Sequence, residues 1–224
     1  MSLSNTPRSG WLPLSDDGAV NALPGRPALR QAIEDTWLEL AGPGAHLDGE
    51  ERVALAAAAR AFRAGLPISA APLSAADLEA VEKLTLASGT TTGEWVPRIC
   101  DQIGELRYIE LVGVVARVTA VDTFFRLTGA DQLPLPTPRP GGPSNEAVPD
   151  GAKLNRTWVR MVKPTPPAVL GAVPSAMYAM VALTDELYMP EEEMVDPDWR
   201  RGDLHRTQVE LVAASASHVN ECFY

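Results

Sequence analysis

Cysteine, basic charge and long apolar runs are all in short supply in this chain, and each shortage closes off a class of protein. Two cysteines, Cys100 and Cys222, are too few to staple a small secreted scaffold, and they read as two independent thiols in a reducing compartment. Lysine and arginine total 19 against 29 acidic residues, leaving a net charge of −10. That balance repels phosphate backbones and anionic lipid, so neither nucleic acid nor a membrane surface is an expected partner. No window approaches the ~20 apolar residues that span a bilayer. The opening "MSLSNTPRSGWLPLSDDG" has no apolar stretch of the kind a secretory signal carries, and its two aspartates argue against a transit peptide. A cytoplasmic location is the expectation. What is present is core-forming material: hydrophobic residues make up 46% of the chain, the level of a globular protein and too high for a disordered one.

The pattern is helical throughout. Residues 1–26, with Pro7, Pro13 and Pro24, read as an extended arm. Leu29, Ile33, Trp37 and Leu40 recur at helical spacing and Gly42 ends that run. Asp48 with Glu51, and Ser74 with Asp77, have the spacing of capping boxes and open two further helices, the first of which stops at Gly65. A short helix is expected around "VPRICDQIG". The run "ELRYIELVGVVARVTAVDTFFRLTG" is rich in β-branched residues, yet it exceeds twenty residues without a turn, whereas strands average ~5 to 6. It is expected to be one long buried helix in which Gly113 and Ala116 permit close packing. Six prolines between Ala130 and Gly151 remove amide donors and fix φ, which excludes helix and central strand. Residues 131–150 therefore read as a linker and a domain boundary. Beyond it a helix begins near Pro174, the acidic "PEEEMVDPDW" reads as a solvated loop rather than a metal site, and a last helix starts near Asp203. No segment alternates with period two, so the expected class is all-α, a helical bundle. "VALAAAARAFRAG" (53–65) overlays "ELVAASASHVNEC" (210–222) without a gap, a hint of an internal repeat.

Chemistry concentrates in that second segment. Glu210 and Cys222 lie twelve positions apart, roughly 18 Å by rise on a straight helix, so they cooperate only through a helix break or a relay. Asn220, tolerant of left-handed backbone, suits such a break. "ELVAASASHVNEC" resembles the core of the alkylhydroperoxidase-like, or carboxymuconolactone decarboxylase-like, family. Its peroxidase members carry a glutamate, eleven intervening residues, a Cys-x-x-Cys pair and a histidine beyond it. Glu210, Asn220 and Cys222 fall on that pattern, with Phe223 and Tyr224 as the two intervening residues, so the sequence reads as cut inside its site motif. "ELVGVVARVTAVDTFFRLTG" is similar to the last long helix of a domain in this family. The resemblance implies a degenerate first copy over 27–130 and the front part of a second over 151–224; it does not cover the arm or the linker.

What the resemblance implies chemically is thiol-dependent reduction of hydroperoxides. Only a thiolate attacks peroxide oxygen, and a free cysteine with pKa ~8.5 needs help to ionise at neutral pH. Glu210 would be a proton-relay carboxylate. Cys222, first cysteine of the pair, would resolve the sulfenic acid formed on the second. The implied partners are a hydroperoxide or other small-molecule substrate, a thiol reductant protein and further copies in a homo-oligomer; no cofactor or metal is implied. His218, one turn before Cys222, does not match the family histidine and reads as an ordinary helix histidine. Cys100, Trp37 and Trp95 read as core. Two other readings are a cysteine-independent decarboxylase-like enzyme and a non-catalytic oligomerisation module. Val212, Val219 and Phe223 would form an uncovered apolar face that favours self-association. For want of the second cysteine, these 224 residues are expected to show negligible dithiol peroxidase turnover. Hydroperoxide consumption abolished by Cys222→Ser would contradict this.

Overall fold

The structure, a computed structural model, describes residues 25–154, 157–163 and 168–219. Nearly all of the expected N-terminal arm, and Asn220 and Cys222 at the other end, lie outside the described residues.

The architecture is all-α. Helix α1 (Pro27–Ala41) begins with proline in its first turn and buries Leu29, Ile33, Trp37 and Leu40, the residues at helical spacing. Helices α2 (Gly49–Ala64) and α3 (Ala75–Leu86) both start with a complete capping box, Asp48 with Glu51 and Ser74 with Asp77. α2 ends on Gly65 in the left-handed conformation. Gly42 has a different task. Its backbone is extended rather than left-handed, and a methyl group there would lie 2.6 Å from an Arg139 side-chain nitrogen.

Helix α4 (Trp95–Ile103) leads through Gly104 into α5 (Glu105–Thr128). This is the expected long helix, and it supplies residues to all three hydrophobic clusters. Leu111, Val114 and Val118 pack with Leu55, Ala59, Val81 and Ile99 of α2, α3 and α4. Val121 and Phe125 pack with Ile33 and Trp37 of α1 and Leu183. Ile109 joins Leu170, Val173 and Ala176. Helix α6 (Pro174–Leu187) packs on α1 and α5. Gly113 faces Ala176 and Leu170, and a methyl added there would lie 3.5 Å from each, an ordinary contact, so the α5–α6 approach leaves room for alanine at this position.

Charged side chains enter this interior from α5 and find partners on the surrounding helices. Arg107 binds both capping-box acids, Asp77 through Nε at 3.0 Å and Glu51 through Nη1 at 2.7 Å. It thereby fixes the starts of α2 and α3 against one turn of α5. Asp122 accepts from Arg60 (2.7 Å) and Arg63 (2.7 Å) of α2.

Residues 131–149 form neither helix nor strand, as their prolines require, with Asn145 at a positive φ of 53°, and a turn begins at Asp150. Their polar groups are satisfied from the helical layer: Trp37 Nε1 donates to Pro134 O (2.8 Å), Arg60 Nη1 to Leu133 O (2.8 Å) and Arg139 N to Ala41 O (2.7 Å). After α6 comes a short antiparallel hairpin, β1 (Arg200–Arg201) with β2 (Leu204–His205), and then α7 (Arg206–Val219). α2 and α7 begin at Gly49 and Arg206, four residues before the two overlaid segments in each case. Their environments differ. Leu55, Ala56, Ala58 and Ala59 are buried in α2, whereas α7 buries nothing among its described residues and leaves Val212 67% and Val219 79% exposed. Among the described residues no helix is long and apolar enough to cross a membrane.

Two predictions follow from this packing. A methyl group added at Gly49 would sit 2.5 Å from Ala41 O and 2.7 Å from Arg139 O, both backbone atoms that cannot swing aside. Gly49→Ala is expected to cost about 1 to 3 kcal/mol in urea unfolding, while Gly89→Ala, facing open space, stays within about 0.5 kcal/mol of the parent. Burial alone would raise the Asp77 carboxyl, but the Arg107 guanidinium and the Ser74 amide and hydroxyl hold it below the ordinary aspartate range. A depressed carboxyl stabilises the fold fully above that range, and the stabilisation fades as pH falls through and below it. Acid unfolding followed by circular dichroism should therefore lose part of its pH dependence in Arg107→Met.

Candidate active site

Glu210, the candidate relay carboxylate, stands just past the first turn of α7, and the preceding hairpin aims it. Gly202, left-handed at φ +58°, makes the turn between the strands. The His205 amide donates to Gln208 Oε1 at 2.9 Å and satisfies part of the α7 start. One turn ahead of Glu210, Arg206 donates from Nε to Glu210 Oε1 (2.8 Å). The same guanidinium reaches back to the carbonyls of Glu193 (3.1 Å) and Met194 (3.0 Å). The acidic segment is thus tied to α7 through its backbone, while the side chains of Glu192, Asp196 and Asp198 remain exposed.

A third group meets Glu210. The Tyr188 hydroxyl donates to Glu210 Oε1 at 3.0 Å. Tyr188 is the residue that ends α6, and its own carbonyl is held by Arg201 Nε of the hairpin at 3.1 Å. Arg201 also takes the Asp185 carbonyl (2.6 Å), so it satisfies two of the carbonyls left open at the α6 C-terminus and places a cation there. The Tyr188 phenol is raised above its ordinary range, first by burial and then by the Glu210 carboxylate that accepts its proton. It therefore stays a hydrogen-bond donor through neutral pH.

Tyr188 also lines a cavity of about 480 Å³ between α5, α6 and the acidic segment. Most of its wall is apolar: Val112 and Ala116 from α5, Met180 and Val181 from α6, and Met189 and Met194 beyond it. The arrangement is a mainly apolar recess, also lined by Thr184 and Asp185, with the Tyr188 hydroxyl backed by a carboxylate that a guanidinium holds in place. Such a site can accept a ligand with a hydrocarbon body and can move a proton between Tyr188 and Glu210.

The other sequence candidates fall elsewhere. Cys222 and Asn220 lie outside the described residues, and α7 is helical through Val219 without a break. His218 is exposed in the last turn of α7, two turns beyond Glu210. Cys100 sits on α4, partly buried against the first hydrophobic cluster, with its thiol raised to about 11 by burial and by the nearby charges of Glu105 and Asp101. No group of three or more histidine, cysteine, aspartate or glutamate side chains that could hold a metal ion occurs among the described residues. The sequence reading passed over Tyr188 and Arg206. Arg206 was open to it, because an arginine four residues before a glutamate on a helix is a readable pair. Tyr188 was not, because its approach to Glu210 depends on how the hairpin folds back on α6.

No family model, curated protein or solved structure matches this chain.

The state of Cys100 gives a direct check. In Cys222→Ser, whose single thiol is Cys100, alkylation by iodoacetamide should be slow at neutral pH. It should accelerate only as the pH approaches about 11. A rate profile centred near pH ~8.5, the value of a free cysteine, would contradict the burial described for this side chain.

Proposed function

We propose that the protein is a thiol-dependent, peroxidase-related oxidoreductase acting on organic hydroperoxides, with Glu210 as proton-relay carboxylate and Cys222 as a redox thiol. The observation that carries this reading is the Tyr188–Glu210 hydrogen bond at the edge of an apolar cavity. It links the carboxylate of the Glu210–Asn220–Cys222 pattern to a space suited to the hydrocarbon part of a hydroperoxide.

By the family pattern the attacking thiolate belongs to the second cysteine of the pair, which these 224 residues do not include; it attacks the outer peroxide oxygen, an S–O bond forms, the O–O bond breaks, and the alkoxide leaves as an alcohol after taking up a proton. Sulfur loses two electrons and becomes a sulfenic acid. A second thiol condenses with it, releasing water and forming a disulfide, which a thiol reductant protein returns to the dithiol by exchange. Glu210 receives the thiol proton and returns it to the leaving oxygen, through Tyr188 or water. By the family pattern Cys222 is the resolving thiol. The reading carries a homo-oligomeric assembly and needs no resident cofactor.

A second reading has its own support, because Tyr188, Glu210 and Arg206 form an acid–base group at a cavity that no cysteine lines among the described residues. That is the arrangement a cysteine-independent decarboxylase-like enzyme would use.

The test separates the two. In Cys100→Ser the remaining thiol is Cys222, and its exchange rate with an aromatic disulfide reagent should fall by about 10²-fold on Glu210→Gln. Tyr188→Phe, which keeps the ring in the cavity wall, should produce a smaller fall. An exchange rate untouched by Glu210→Gln would remove the thiol reading. Turnover of a lactone that persists in Cys222→Ser and is lost in Glu210→Gln would establish the second.

A further inference from the structure

On the side of α6 opposite the Tyr188 cavity lies a second recess, of about 390 Å³, between α1 and α6. Ala28 and Ala32 of α1 and Ala179 and Ala182 of α6 line it, together with the polar Gln31, Asp35, Thr36 and Glu39 of α1. Arg117 of α5 also lines it and is 2% exposed. The guanidinium is only partly satisfied. Nε donates to Gly113 O at 3.2 Å and Nη1 to Glu39 Oε2, but Nη2 is buried without a protein hydrogen-bond partner.

The charges around it explain why no neighbour fills that place. Glu39 is shared between Arg117 and the buried Arg52. The remaining acid, Glu110, is engaged elsewhere: it accepts from the His46 amide at 2.6 Å and lies 3.5 Å from Arg52 Nε. Burial also pushes its carboxyl upward, against the pull of the His46 amide and Arg52. Both carboxylates are thus committed, Glu39 to the two guanidiniums and Glu110 to Arg52 and the His46 amide, while Nη2 of Arg117, a residue of the recess wall, keeps hydrogens to donate. A buried donor of this kind calls for an acceptor.

We propose that the α1–α6 recess binds a small monocarboxylate, whose anionic oxygen accepts from Arg117 Nη2 while its hydrocarbon body lies against the alanine walls. The number of donors selects the class. One free nitrogen suits a single carboxylate oxygen, whereas a phosphate needs several donors and brings up to twice the negative charge into a recess that Asp35 and Glu39 also line. The alanine side chains set the size, because they leave room for a short aliphatic chain or a single ring. This site is separate from the Tyr188–Glu210 cavity and does not rest on the function proposed for it.

Isothermal titration of the full chain with butyrate, benzoate, butyramide and inorganic phosphate tests the proposal. Saturable binding of the two carboxylates is expected, at least about tenfold tighter than the neutral amide or phosphate. Ala179→Leu and Ala32→Leu fill the recess while leaving the Arg117 bonds to Glu39 and Gly113 in place, and each should abolish binding with an unchanged circular dichroism spectrum. Arg117→Lys should weaken binding in the same way; if that variant does not fold, the two leucine variants decide alone. Carboxylate binding that survives both leucine variants overturns the proposal. So does butyramide or phosphate binding as tightly as butyrate, or a lack of saturable carboxylate binding, which would leave Arg117 Nη2 to water.

Discussion

Helix α5 brings charge into the interior, and the rest of the structure is arranged to answer it. Arg107, Glu110, Arg117 and Asp122 project from one helix that also feeds all three hydrophobic clusters. Taking such groups out of water is costly unless each gains a partner of opposite charge or several hydrogen bonds. Each of the four has one. Arg107 holds the starts of α2 and α3, Asp122 takes two arginines from α2, Glu110 accepts an amide from the α1–α2 loop, and Arg117 meets Glu39 near the end of α1. The loop is shaped to suit: a methyl group at Gly44 would fall 1.8 Å from Glu110 Oε1, so glycine is the residue that leaves space for the carboxylate. Removing one member of such a buried pair leaves the other uncompensated, which typically costs about 3 to 5 kcal/mol.

The same helix divides the chemistry. α5 and α6 cross with Gly113 and Ala176 between them, and a recess opens on each side of the crossing. On one side Arg117 of α5 faces Ala179 and Ala182 of α6. On the other Val112 and Ala116 of α5 face Met180, Val181 and Thr184 of α6. One recess sets a guanidinium among alanines with Asp35 and Glu39 beside it; the other is mainly apolar, with Thr184, Asp185 and Tyr188 as its polar lining residues. Residues a single turn apart on two helices are enough to give neighbouring spaces such different character.

Much of this was legible in the sequence, and the reasons are local. Capping boxes, the 3.6-residue recurrence of Leu29, Ile33, Trp37 and Leu40, and the left-handed glycine after α2 involve contacts within a few residues, so spacing alone reveals them. The length of the 105–128 run settled helix over strand despite its β-branched content. Interactions between distant segments were hidden. Arg117 and Glu110 stand inside an apolar run, which marks them as unusual, but nothing in the order of residues says that Glu39 and the His46 amide would meet them. Gly42 was readable as a helix stop, though its service to Arg139 was not. Glu210 was singled out by its distance along the chain from Cys222, while Tyr188 and Arg206, the groups that hold it, come from the hairpin fold and the end of α6.

The central claim, that paired charge on α5 organises the helices around it, is tested most directly by a double-mutant cycle on Glu39 and Arg117. Unfolding free energies of Glu39→Gln, Arg117→Met and the double variant should give a coupling of at least about 1.5 kcal/mol, with the double variant less destabilised than the single losses add up to. A coupling near zero would mean that the two side chains contribute independently, and that the buried charges of α5 are tolerated by the fold rather than organising it.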